Sequence, residues 1–162
     1  MNTGTLYETV RKQGNMKTNK AMRNLLNELA QSIESINSNL FNPTFREWDN
    51  CIIIDASGLK EIDSIEETLY QDRTHLEASI NHYHIKDLRT GIKLISNWKE
   101  SLKLNYPKNE FILILSSTIE GEDVVIRFYQ FRDHELEWIK LNDLEGYKDE
   151  AILVIEILNA VR

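Results

Sequence analysis

The stretch FILILSSTIEGEDVVIRFYQFR, residues 111–132, decides the class of fold. Two runs rich in β-branched and aromatic residues, 111–118 and 124–132, flank the segment IEGED. Such runs around a Gly-containing turn predict a β-hairpin. Side chains alternate along a strand, so Val124, Ile126, Phe128 and Gln130 share one face. Val125, Arg127, Tyr129 and Phe131 share the other. One face is expected in the core and the other partly wet.

Downstream, Glu135–Ile139 reads as a third short strand. Residues 143–160 fit two patterns. Leu144, Tyr147, Ala151, Val154, Ile155 and Leu158 recur at helical spacing, whereas ILVIEI alone suits a strand. The helix is preferred.

Upstream, Met22, Leu25, Leu26, Leu29, Ile33 and Ile36 predict an amphipathic helix over 19–37, ended by the Asn/Ser-rich stretch before Pro43. CIIID at 51–55 reads as a buried strand. Ser64, with Glu67 three residues on, reads as a capping box opening a helix that runs through the seventies and breaks before His82. Leu88, Ile92, Ile95, Trp98 and Leu102 predict another helix, ending before Pro107. Strands gather partly in the second half, which predicts an α+β fold: amphipathic helices on a small, mainly antiparallel sheet with a C-terminal hairpin. Residues 1–18 are a polar lead-in, and 19–162 form one domain.

The chain has 162 residues, enough to bury a core without staples. Two prolines and six glycines argue against disorder or low complexity. Nineteen basic residues against 26 acidic ones give −7. Residues 1–24 carry +4, from Arg11, Lys12, Lys17, Lys20 and Arg23 against Glu8, which leaves −11 on the remainder. So acidic a body does not suit direct nucleic-acid binding, which needs clustered Lys and Arg. It suits a basic protein partner. The lone Cys51 excludes an intrachain disulfide and fits a reducing cytoplasm. The start has no apolar core of a secretory signal, and FILILSSTI is too short to span a bilayer. A cytoplasmic protein without a membrane segment is expected.

Residues able to carry chemistry are scattered. His82 and His84 would point the same way only on an extended segment, and His75 or Cys51 would have to join them around a metal. No fourth ligand lies at a recognised spacing, so no metal or cofactor is expected. Cys51 begins an apolar strand, where a thiol behaves as a small hydrophobe. Asp55 ends that strand and presents a carboxylate at a sheet edge. No nucleotide, metal or protease signature is present, so no enzymatic activity is expected.

Two stretches resemble known families. IIIDASGLKEIDSIEETL, residues 52–69, resembles the core motif of STAS domains, the anti-sigma-factor antagonists. That resemblance implies a regulatory module switched by phosphorylation at Ser64, on a parallel sheet. The first residues, IIIDASGL, also begin like the metal loop of von Willebrand factor A domains, with Asp55 and Ser57 matching and Leu59 in place of the second serine. Residues 111–157 resemble the C-terminal half of small bacterial immunity proteins of polymorphic-toxin and contact-dependent-inhibition systems. That likeness rests on size, acidity, layout and the hairpin. It implies stoichiometric neutralisation of a basic toxin domain.

The candidate capture surface is Glu120, Glu122, Asp123, Asp133, Glu135 and Glu137. Arg127, Tyr129 and Trp138 are candidate anchors, since Tyr, Trp and Arg dominate binding energy at interfaces.

Overall fold

A computed structural model describes residues 15–29 and 40–159. In chain order the elements are β1 (Met16–Thr18), α1 (Lys20–Glu28), β2 (Arg46–Trp48), β3 (Cys51–Ile53), α2 (Arg73–Ile80), β4 (His82–Ile85), α3 (Leu88–Asn105), β5 (Phe111–Thr118), β6 (Val124–Gln130) and β7 (Glu150–Ile157). Single 3-10 turns occur at Ser57–Leu59, Ile65–Glu67 and Leu144–Gly146. The fold is α+β. Five strands form an antiparallel sheet in the order β1-β7-β5-β6-β4, and β2 and β3 form a separate hairpin.

The hairpin read from 111–132 is β5–β6. Gly121, at φ 85°, and Asp123, at φ 51°, supply the left-handed residues in its turn, and the Gly121 amide bonds the Thr118 carbonyl at 3.0 Å. Phe111, Leu113, Leu115, Val124, Ile126 and Phe128 face the main core. There they meet Ile92, Ile95, Trp98 and Leu102 of α3 and Met22 and Leu26 of α1. Each of these side chains contributes about 1.5–3 kcal/mol by leaving water. Gly91 lets α3 approach: a Cβ there would lie 2.6 Å from Leu115 Cδ1.

The reverse face of the sheet is also covered. Ile112, Ile114, Tyr129, Ile152 and Val154 pack against Ala78 of α2 and against Ile139 and Leu144. Residues 131–149 therefore form a cover over this face. Glu135–Ile139 is not a strand: the cover runs through turns and bends, and Ile139 drops onto the sheet. The Lys140 amide donates to Tyr147 Oη at 2.9 Å and closes the loop.

Both-sided burial explains the largest departure from the sequence reading. Residues 150–157 form strand β7 between β1 and β5, not a helix. Ala151, Leu153 and Ile155 face one core while Ile152 and Val154 face the other. Burial on both faces yields a continuous apolar run without alternation.

Three other boundaries differ. Met16–Thr18, within the polar lead-in, pair with β7 as an edge strand. The first helix stops at Glu28, because Leu29 is extended; Ile33 and Ile36 lie outside the described residues. The helix expected from Ile65 is one 3-10 turn, after which Asp72 caps α2 by accepting from the His75 amide at 2.8 Å. Thr68 turns extended between the two and breaks the helix.

The β2–β3 hairpin turns on Asp49 and Asn50, at φ 44° and 62°. Two consecutive positive φ values at the centre of a two-residue loop mark a type I′ turn, which Asp and Asn tolerate. The Asp49 carboxylate then accepts from the Ile65 amide at 2.7 Å and pairs with Arg73 at 3.1 Å.

Candidate partner-binding site

The capture residues do not form one continuous surface. Glu120, Glu122 and Asp123 are exposed in the β5–β6 turn. Asp133, Glu135 and Glu137 follow the far end of β6. The length of β6, about 3.3 Å per residue, separates the two groups.

At the far end the cover itself is acidic. Residues 133–150 hold seven acids against Lys140 and Lys148, net −5 with His134 neutral. Asp133 and Glu137 are exposed. Glu135 turns inward: its carboxylate accepts from the Thr74 amide at 2.9 Å and the Thr74 hydroxyl at 2.7 Å, in the first turn of α2. Burial works to raise the Glu135 pKa, but the Thr74 bonds and Arg132 outweigh it and hold it below the usual range. Glu135 is therefore a structural acid.

The anchors divide in the same way. Tyr129 is 3% exposed and belongs to the reverse core, where desolvation pushes its phenol up. Arg127 is half-buried, donates to the Ala78 carbonyl at 2.8 Å and lies 4.9 Å from the Trp138 ring centroid. Trp138 is 38% exposed, and Leu136 beside it is 67% exposed. Leu136 and Trp138 are thus exposed in the same short stretch as exposed Asp133 and Glu137, with Arg127 as a cationic floor under the indole. Sequence reasoning missed Leu136, whose signal was an isolated leucine between two glutamates.

Trp138 also reaches sideways. Its ring lies 5.6 Å from His75, which meets Tyr70 edge-on at 5.5 Å. His75 and Tyr70 in turn line an open groove of about 740 Å³, together with Asp55, Glu67, His82 and Tyr83. Asp55 and two of the three candidate histidines thus meet in one place. His82 lies with Nδ1 2.5 Å from the Ser79 carbonyl, which can only accept, so Nδ1 carries a hydrogen. His84 shares the face of His82 on β4, rings 5.7 Å apart, as their spacing on an extended segment requires. Among the described residues no group of three or more His, Cys, Asp or Glu side chains could hold a metal ion.

The remaining candidates are held by internal contacts or buried. The Asp55 carboxylate accepts from the Ser57 amide at 2.9 Å, and that bond holds its pKa low. Leu59, where the metal-loop likeness needs a serine, is buried. Cys51 is buried, and desolvation pushes its thiol up to about 12. Ser64 is half-exposed at the head of the 3-10 turn, and its amide donates to Glu67 at 3.1 Å. Among the described residues every strand pairing is antiparallel, unlike the parallel sheet that the STAS resemblance implies.

No helix among the described residues is long and apolar enough to cross a membrane. Neither the curated proteins nor the solved structures give a match. A family model matches residues 17–161, and the chain belongs to the Uncharacterized protein PM0498 family.

Proposed function

We propose that this chain is a non-enzymatic binding protein that captures a basic protein partner stoichiometrically, in the manner of a bacterial toxin-immunity protein acting in the cytoplasm. The observation that carries this reading is the cover over the reverse face. It carries exposed Leu136 and Trp138 alongside exposed Asp133 and Glu137 in one short stretch, within a segment of net −5. An apolar centre with a charged rim is the anatomy of a protein interface. The acids steer a cationic partner and the indole anchors it. If the partner is a nuclease, its phosphate-binding surface is what the acids would occupy.

The test is affinity capture from host lysate at low salt, with partners identified by mass spectrometry. The proposal expects one basic protein in equimolar amount. Absence of any stoichiometric partner overturns it.

A further inference from the structure

We propose that the groove beside β4 receives an extended, lysine- or arginine-bearing segment of the partner, which adds to β4 as a further strand. This deepens the capture reading and rests on it.

The argument begins with the sheet edge. β4 pairs with β6 on one side only, with His82 opposite Arg127 and His84 opposite Val125. The Phe128 amide donates to the Asn81 carbonyl at 3.3 Å, so the backbone groups of residue 81 face β6. In an antiparallel ladder this direction alternates, so Tyr83 and Ile85 also face β6. The amides and carbonyls of His82 and His84 then point away from the sheet. Among the described residues they have no strand to meet.

The neighbouring chain leaves that edge open. β3 lies on the same side of β6, joined to it through the Glu77 and Asn81 side chains. It ends at Ile53, and the backbone turns off through Asp55 into the 3-10 turn Ser57–Leu59. The groove lies between this turn, the segment around Glu67–Tyr70, and His82 and Tyr83 of β4. An open edge is a template for strand addition, in which main-chain bonds give affinity and flanking pockets select alternate side chains.

The lining selects the occupant. Asp55 and Glu67 supply carboxylates, and no lysine or arginine lines the groove. Tyr70, His75 and Tyr83 supply ring faces and edges beside them. Acids next to aromatic rings favour a cation carried on an aliphatic stem.

The probe is the peptide acetyl-Lys-Val-Lys-Val-Lys-amide, titrated into ¹⁵N-labelled full chain, with the all-Glu counterpart as control. The proposal expects shifts of the His82 and His84 amides with the Lys peptide, and none with the Glu peptide. Backbone N-methylation of one alternate set of peptide residues should abolish binding, and methylation of the other set should leave it within about twofold. Asp55→Asn with Glu67→Gln should weaken binding about tenfold, and His84→Pro should remove it. Proline is tolerated where an edge amide faces outward, and the methylated peptides make the same test should His84→Pro fail to fold.

Unperturbed His82 and His84 amides at millimolar peptide overturn the proposal, as do equal effects of the two methylation sets. Self-association of the chain that His84→Pro abolishes overturns it in favour of a second copy at the edge. Lysate capture separates this proposal from the capture reading. Capture lost with Asp133→Lys/Glu137→Lys but intact with His84→Pro rejects the groove and keeps the capture reading. Capture unaffected by either rejects the groove, and rejects the cover as the binding surface.

Discussion

Glu77 on α2 and Asn81, the residue that caps its C-terminus, stand four residues apart, and between them they join β3 to β6, two strands that are not paired. The Glu77 carboxylate accepts from the Ile52 amide at 2.7 Å and from the Gln130 amide at 2.8 Å. Asn81 donates to the carbonyls of Ile52 and Phe128 at 2.9 and 3.4 Å and accepts from the Ile54 amide at 3.1 Å. Two side chains thus do the work of a missing strand. Glu77 is fully buried, and Arg132 balances its charge at 2.7 Å.

Removing one partner of a buried ion pair leaves the other uncompensated. Glu77→Ala should cost about 3–5 kcal/mol. The Glu77→Ala/Arg132→Ala double variant should cost less than the sum of the singles, because the two share one network. Urea midpoints of the four proteins measure both.

Gly91→Ala raises helix propensity by about 1 kcal/mol. It should nevertheless destabilise, because the new Cβ would press Leu115 Cδ1 at 2.6 Å and Leu115 has no exposed surface into which to move. Overpacking of this kind costs about 1–3 kcal/mol. A thermal melt gives the sign.

Cys51 should resist thiol reagents in the native protein and react fully in denaturant. Its thiol is raised from 9.0 to about 12, chiefly by desolvation and then by Glu77. Between those values the folded state keeps a proton that the unfolded state releases. Stability therefore falls as pH rises through that window. Denaturation midpoints against pH, with Cys51→Ala as control, test this.

Glu135 acts in the opposite direction. Its folded pKa lies below the ordinary 4.5, so its contribution is present above that value and is lost as pH falls through the folded pKa. Glu135→Gln should flatten the acid limb of the stability profile.

The β5–β6 hairpin was legible because everything that makes it is local: two β-rich runs and a glycine turn. β7 was not, because its partners β1 and β5 are distant in sequence and its both-sided burial hides the alternation. The same cause misplaced Tyr129. It falls on the expected second face, but the cover makes that face a second core. Glu135 read as one more surface acid, since Thr74, its partner, lies 61 residues away. Residue type alone singles out Asp133, Glu137 and Trp138, and all three are exposed. What sequence could not supply was their separation from Glu120, Glu122 and Asp123 by the length of β6.

That separation gives the most direct test. Isothermal titration of the captured partner should compare the wild type with Asp133→Lys/Glu137→Lys, Trp138→Ala and Glu120→Lys/Glu122→Lys/Asp123→Lys. The account predicts a loss of about tenfold or more for the first, with a shallower salt dependence, and about 2 kcal/mol or more for Trp138→Ala. The turn variant should bind nearly as the wild type does. Unchanged affinity for the Asp133/Glu137 and Trp138 variants, with loss confined to the turn variant, would contradict the assignment of the cover as the binding surface.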